Sequence, residues 1–424
     1  ITNGVEFSQT DLEQGKMEKV FRLLHEDVAN SKNTKFQAAF KKEPLEKLYI
    51  LEDEYSRIEG AENVCDICGC RAKVKEYCIT CDDIITFGEK LPKARYMAYT
   101  KKNIRGLASL PLPFGWKVCI SDTVKIFESE HIVPHVINDR EKHYPAAYMP
   151  YYVPSKADSV LDFEDIAEKS EGNKKIAMFK ADVDSLGFIF SSGLDTKTSI
   201  SRFSTMSRML HYFFSAYVNH VISHQHTYIY TVFSGGDDLC VIGPWDKIIE
   251  FSLHIQEEFT RYVGNNPDIT ISGGIALASH NLPVKYMAEN SEDNLKISKK
   301  ADKKNSVTVF DTTVNWLEFS QLIKDGRKLD NYIKNKELSK SMAYRLIHYA
   351  DMRKEVIRAK HTRENGKVLI PSVNSLLWRS HLKYDSVRNI NKNSKHIRDF
   401  YVDIVERDIE GLYILASYAL YLNR

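Results

Sequence analysis

The sequence lacks any long hydrophobic run. Its longest apolar stretch, LYILASYALYL from Leu412 to Leu422, is too short to span a bilayer and reads as a core helix, so no membrane role is expected. It lacks a charge imbalance. Lys and Arg number 59 against 57 Asp and Glu, a formal net charge of +2, which excludes a chain-wide basic surface and makes any nucleic-acid contact local. Proline and glycine are sparse, 12 and 19 among 424 residues, and this excludes collagen-like and low-complexity chains. With 43% hydrophobic and 27% charged residues, the composition is that of a globular protein. Cysteine is scarce as well. Five of the seven fall between Cys65 and Cys81, which argues against a distributed disulfide framework and for one metal site in a reducing compartment, the cytoplasm. Cys119 and Cys240 stand alone in apolar settings and read as core. No His-Asp pair, HExxH or Cys–His pairing occurs. His211, His220, His224 and His226 read as surface or packing residues.

The length allows roughly two to four domains. The chain opens ITNGVEF, without methionine and without a visible signal peptide, as expected of a piece of a longer protein. Residues 1–60 read as helical, with Met17, Val20, Phe21, Leu24 and Val28 at helical spacing. Residues 61–170 hold the cysteines and then short β-like runs, GWKVCI and YMPYYV, ending at the polar boundary DFEDIAEKSEGNKK. Residues 171–314 are regular. A buried strand, KIAMFKADVD, is followed by a long helix from Ser199 to Ser223. Two strands, TYIYTVF and LCVIG, flank SGGDD, and a helix runs from Trp245 to Tyr262. The strand DITISGGIALA, a helix from Val284 to Lys303 and the strand SVTVFD complete the segment. The order β-α-β-β-α-β, then α-β, predicts an α+β, ferredoxin-like core with an appended unit. Residues 315–424 read as a helical domain. Its scattered Arg379, Lys383, Arg388, Lys392, Lys395 and Arg398 form a solvated surface, with RNA contact as the other reading.

The chemistry centres on YTVFSGGDDLCVIG, Tyr230 to Gly243. A glycine turn between strands explains the glycines alone, and aspartates beside such turns are common. The second reading is a metal site. The first strand of such a core lies centrally, antiparallel to its hairpin neighbour, so Asp182 of ADVD approaches Asp237 and Asp238, which puts three or four carboxylates at one sheet edge. That many carboxylates at one sheet edge are costly without a cation. Two Mg²⁺ or Mn²⁺ ions relieve the repulsion, activate a ribose hydroxyl and stabilise leaving pyrophosphate. Gly235 and Gly236, with Ser234, then let a nucleotide approach the backbone. The run NLKISKKADKKNS is a solvated helix face or a phosphate clamp. Lys300 and Lys304 lie one turn apart and suit phosphate contact, while the backbone amides of DVDSLGF offer a further cradle. Upstream, Cys65/Cys68 and Cys78/Cys81 are paired CxxC knuckles with spacing for a structural, tetrahedral Zn²⁺. Cys70 is a substitute ligand.

FSGGDD, preceded by ADVDSLG and followed by KKADKKNS, resembles the palm domain shared by GGDEF-type nucleotide cyclases and the large subunit of type III CRISPR effector complexes. With CDIC…CITC, then FGEKLPKARY, upstream and a helical domain downstream, residues 61–424 are most similar to the Csm-type, type III-A subunit. The resemblance implies a metal-dependent nucleotidyltransferase that joins ATP into cyclic oligoadenylate messengers when its complex binds target RNA. It implies other subunits, guide RNA and target RNA as partners. Asp182, Asp237 and Asp238 become metal ligands, with Asp184 a weaker one, Asp237 and Asp238 catalytic, Ser234, Gly235 and Gly236 near the nucleotide, and Lys300 and Lys304 on phosphate. Family members also carry an HD nuclease domain and a first palm without GGDD. Neither is recognisable here, so DNA cleavage is not carried over and the chain alone is expected to be weakly active or inactive. A diguanylate-cyclase-like enzyme and a non-catalytic palm scaffold are the alternatives.

Overall fold

The computed structural model describes residues 17–33, 63–69, 71–74, 76–112, 115–139, 143–156, 159–192, 199–301, 304–361, 363–364, 367–368, 370–407 and 411–424. Most of the expected helical segment 1–60, Cys70 and Lys303 lie outside them. Two compact units emerge: Ile1–Met149 with Gly187–Ser207, and Pro150–Leu186 with Arg208–Arg424.

The first unit contains α1 (Met17–Asn33), α2 (Ile79–Lys90) and α3 (Lys125–Ser129). A five-stranded sheet is built from β1 (Tyr96–Thr100), β2 (Ala108–Pro111), β3 (Lys117–Ser121), β4 (His135–Ile137) and β5 (Ala146–Ala147), in the order β2-β3-β1-β4-β5. Its core gathers Tyr96, Ala98, Cys119, Phe127 and Val136, so Cys119 fills core as expected. GWKVCI supplies β3, but YMPYYV forms no strand. Pro150 within it and Pro154 just after it cannot donate to a ladder.

The second unit is built on β6 (Ile176–Val183), β7 (Tyr230–Gly235), β8 (Asp238–Pro244), β9 (Ile271–Ala278), β10 (Ser306–Val309) and β11 (Thr312–Asn315), in the order β11-β10-β9-β6-β8-β7. The inner order β9-β6-β8-β7 is that of a ferredoxin-like core, with β6 central. The sequence IAMFKADV is buried almost throughout, as a strand covered on both faces must be. Its odd residues face one helix layer: Phe179 stacks edge-on against Phe251 and Trp316. Its even residues face the other: Ile176 and Met178 cluster with Met287, and Lys180 pairs with Glu292. These layers are α6 (Trp245–Tyr262) with α8 (Trp316–Lys334), and α7 (Val284–Lys300).

The expected long helix is α4 (Ile200–Tyr212) and α5 (Val218–Gln225) joined by a π-turn over Phe213–Tyr217. Strand β7 begins three residues later than expected and takes in Ser234 and Gly235, which shrinks the SGGDD loop to Gly236 and Asp237. Strand β11 is an addition; it returns against β10 after the turn at Phe310 and Asp311, both at positive φ. Beyond β11 and α8 lie α9 (Lys340–His361), a single helical turn at Val373–Leu376, α10 (Trp378–Asn389), α11 (Lys395–Arg407) and α12 (Leu412–Leu422). Helix α12 is the apolar run, and it is core: eight of its eleven residues are buried. No described helix is long and apolar enough to cross a membrane.

Candidate active site at the carboxylate corner

Register decides where the acids meet. Asp182 pairs directly with Asp238 on β8 and with Ser272 on β9. Cross-strand partners share a face, and it is the α7 face, because Cys240 and Ile242, at two and four residues beyond Asp238, sit in the cluster with Met178 and Met287. Asp237 occupies the turn, where its carbonyl accepts the Val183 amide at 3.1 Å. Like charges directly opposite on a sheet destabilise it, and burial adds to the cost of ionising them. Burial, then Asp237 and Asp182, push Asp238 up to about 6. Burial also raises Asp182, and Asp237 and Asp184 add to it; Lys299 opposes them without reversing the shift. The corner is short of positive charge. Its donors are carboxylate oxygens, which suit hard divalent cations, so Asp182, Asp237 and Asp238 fit a Mg²⁺ or Mn²⁺ site. Among the described residues, however, the carboxylates do not gather three ligand atoms within 4.8 Å of one another; only the cysteine cluster does.

One cation already touches the corner. Lys299 Nζ lies 2.6 Å from Asp182 Oδ2 and donates to the Val183 carbonyl at 3.5 Å. Its placement follows from close packing of α7 on β9. A Cβ on Gly274 would fall 2.3 Å from the Leu295 amide nitrogen and 2.4 Å from the Ser291 carbonyl, so only glycine lets the helix this near. Ser298 then donates to the Gly273 carbonyl at 2.6 Å and shares a hydrogen bond with Thr308 at 2.6 Å. The next residue is Lys299.

Asp184 is 3% exposed. Its Oδ2 accepts from Thr270 Oγ1 at 2.8 Å, Ser272 Oγ at 3.0 Å and the Asn305 amide at 3.0 Å, while its Oδ1 is buried without a hydrogen bond. The carboxylate thus ties the segment after α7 to the start of β9. Lys304, at φ 50°, donates to Ser185 Oγ at 2.7 Å.

The hairpin is braced from behind. Ser234 is buried, and its hydroxyl donates to the Phe214 carbonyl inside the π-turn. The Gly236 amide donates to His211 Nδ1 at 3.2 Å, which requires a neutral imidazole. Gly236 itself has φ 67° and open space where a Cβ would point.

Residues 175–308 match the family model of the second palm domain of Cas10/Cmr2. A Methanocaldococcus jannaschii protein named as the CRISPR single-strand-specific deoxyribonuclease Cas10/Csm1, subtype III-A, is 36% identical over 208 residues, 42% of this chain and 26% of that protein. Its Streptococcus thermophilus namesake is 25% identical over 309 residues, 68% of this chain and 39% of the relative. Over residues 175–308 the chain matches the second palm domain of Cas10/Cmr2, and it is similar to the type III-A large subunits named Cas10/Csm1. It aligns to about a quarter to two-fifths of the length of these two Cas10/Csm1 relatives. Among solved structures, an apo Csm1–Csm4 cassette matches 99% of the chain and 56% of its own at TM-score 0.64 and 18% identity. A Csm1–Csm4 cassette with AMPPNP matches at TM-score 0.57 and 20% identity, over 81% of this chain and 49% of its own.

On this palm the structure brings Asp182, Asp237 and Asp238 to one corner, with Gly235 and Gly236 at the bend. Ser234 turns its hydroxyl inward, leaving only backbone toward the corner. Lys300 is exposed, and Lys304 reaches the DVDS turn instead of the aspartates. Lys299 and His211 were not singled out by sequence reasoning. The signal for Lys299 was present: the buried positions Met287, Ser291, Leu295 and Ser298 define the inner stripe of α7, and Lys299 flanks it while Lys300 turns away.

In the first unit, Cys65, Cys68, Cys78 and Cys81 place their sulfurs within 4.8 Å of one another. The Cys65 amide donates to the Arg71 carbonyl and the Gly69 amide to the Cys65 carbonyl, both at 2.9 Å, closing the first knuckle; Gly69 has φ 63°. Cys78 precedes α2 and Cys81 lies in its first turn. The Cys68 and Cys78 sulfurs are 3.8 Å apart, the edge of a tetrahedron with metal–sulfur bonds of ~2.3 Å. None of the four forms a disulfide. Burial and the neighbouring thiols push Cys81 up to about 12, a cost that a coordinated metal reverses. The residues fit zinc.

Proposed function

We propose that this chain is the nucleotidyltransferase portion of a type III-A CRISPR large subunit, converting ATP to cyclic oligoadenylates under control of target RNA bound by its complex. The observation that carries the reading is the direct pairing of Asp182 with Asp238, beside Asp237, on the face where Lys299 projects. Asp182, Asp237 and Asp238 would hold Mg²⁺ or Mn²⁺, which when bound activates a ribose hydroxyl and neutralises pyrophosphate. The glycine bend keeps side chains clear of the nucleotide. His211 and Ser234 hold that bend in register. Lys299, with Lys300 and Lys304 on the same segment, supplies cations for the triphosphate. The cysteine cluster would hold structural Zn²⁺. The likeness to Csm1–Csm4 structures solved with AMPPNP, pppApApA, cA3 and cA4 supports adenine nucleotides as ligands and other Csm subunits as partners, with guide and target RNA reached through the complex.

The test is product analysis. ATP with Mn²⁺, given to the chain or to the complex containing it, should yield oligoadenylates by mass spectrometry, and Asp237→Ala/Asp238→Ala should abolish them. GTP selectivity with a cyclic dinucleotide product would instead mark a diguanylate-cyclase-like enzyme. One observation favours a scaffold: the Lys299–Asp182 pair already partly compensates the corner without metal. Absence of metal-dependent ATP binding in calorimetry would establish that reading.

A further inference from the structure

The Lys299 ammonium contacts two oxygens at once, the Asp182 carboxylate at 2.6 Å and the Val183 carbonyl at 3.5 Å. A carboxylate oxygen and a main-chain carbonyl from adjacent residues are a partial shell for a hard cation. A lysine there is a tethered, monovalent occupant. The side chains of both partners are about 30% exposed, 29% for Lys299 and 31% for Asp182, so the pair is neither sealed nor free. The backbone around it is fixed: Ser298 is bonded to β9 and β10, and Gly274 admits α7 at one depth. Lys299 therefore moves by its flexible stem, not by shifting its helix. Asp238 lies directly opposite Asp182 on the neighbouring strand.

We propose that Lys299 is a built-in competitor for the divalent cation: it closes the corner in the empty enzyme and leaves when a triphosphate draws it away. This rests on the metal-site reading above and adds an order to it. Metal and triphosphate load together, because the phosphates offer Lys299 a second partner of the same charge as the one it gives up. By linkage, whatever frees Lys299 strengthens metal binding, and metal binding frees Lys299 for phosphate. Empty palms would hold little metal at cellular concentrations, and the corner would remain shut without nucleotide.

The experiment is titration of Mn²⁺ alone, without nucleotide, followed by calorimetry and by the loss of the free-ion paramagnetic resonance signal. It compares the wild-type chain, Lys299→Met, Lys299→Gln and Asp182→Ala/Asp238→Ala, with circular dichroism confirming each fold. Removing a competitor raises apparent affinity by the inverse of the competent fraction, so Lys299→Met and Lys299→Gln should bind Mn²⁺ about tenfold more tightly than wild type. In metal-free buffer they should bind inorganic triphosphate more weakly. Unchanged or weaker Mn²⁺ binding in both Lys299 variants, with wild type still binding, overturns the competitor role and leaves the metal site standing. No binding in any variant, or full binding in Asp182→Ala/Asp238→Ala, overturns the metal site itself.

Discussion

Gly274 acts on the corner through the packing of α7. Its missing Cβ sets the depth of α7, and through Ser298 it sets the reach of Lys299. Gly274→Ala should lower stability by at least about 1–3 kcal/mol, as overpacking does when backbone must shift, read as a reduced denaturation midpoint. At the same scale, His226 packs edge-on against Phe251, and its Nε2 lies 3.0 Å from His254 Nδ1. Burial, then His254, depresses it from 6.5 to about 4. Glu250 pulls the other way, and Lys247 adds to the depression. A histidine held neutral in the fold but free to charge when unfolded costs stability as pH falls from 6.5 toward 4 and nothing above that window. Urea midpoints at pH 7 and pH 5 should therefore converge in His226→Gln relative to wild type. Equal convergence in both would rule this out. Single residues were the least legible part of the sequence. Asp182, Asp237 and Asp238 stood out because adjacent acids beside glycines are unusual. Lys299 sat in a run of five lysines, and only the inner stripe of α7 separates it from its neighbours. His211 carries no motif; a hydrogen bond from a turn 25 residues away leaves no local trace.

Elements were easier to read where one signal dominated. Helix α6 follows Pro244 and carries Ile248, Phe251, Ile255 and Phe259 inward, and its expected bounds match the structure. Strand β6 was legible as an unbroken apolar run ending in acids. The π-turn was not, since Phe213–Tyr217 has the composition of ordinary helix; the widening places the Phe214 carbonyl where Ser234 meets it, a tertiary cause. The bounds of β7 shifted for a similar reason. Gly235 looks like loop by propensity, yet it pairs with Asp238, and the ladder overrides the local preference. The knuckle loop before α2 is an element held by little besides sulfur: Cys65, Cys78 and Cys81 form its buried cluster, with Cys68 and Tyr77 packed against them. Elemental analysis of the purified chain should give one zinc per molecule. Chelation or Cys78→Ser should speed amide exchange across 63–90 and leave β6–β9 protected. Full protection of 63–90 after zinc removal would contradict a structural metal.

At the scale of the molecule, the ferredoxin-like order and the helices of residues 315–424 were both foreseen, because periodicity changes visibly from strand to helix along the chain. The five-stranded sheet of the first unit was foreseen only in pieces. Its strands are two to five residues long, too short for alternation to declare itself. The compact units also cut across expectation: contacts join the palm and the C-terminal helices into one body. Tyr418 of α12 packs on Trp245 at the head of α6, and Arg327 of α8 bridges Glu171 and Glu250. Within that body everything functional depends on whether the acids at one end of β6 hold divalent cations. Crystals soaked with ATP and Mn²⁺ and measured at the manganese absorption edge answer this directly. Anomalous density beside Asp182 and Asp238, with Lys299 turned onto phosphate, is the expected result. Manganese bound elsewhere, or an ordered ATP with Lys299 still on Asp182 and no metal between the acids, would contradict it.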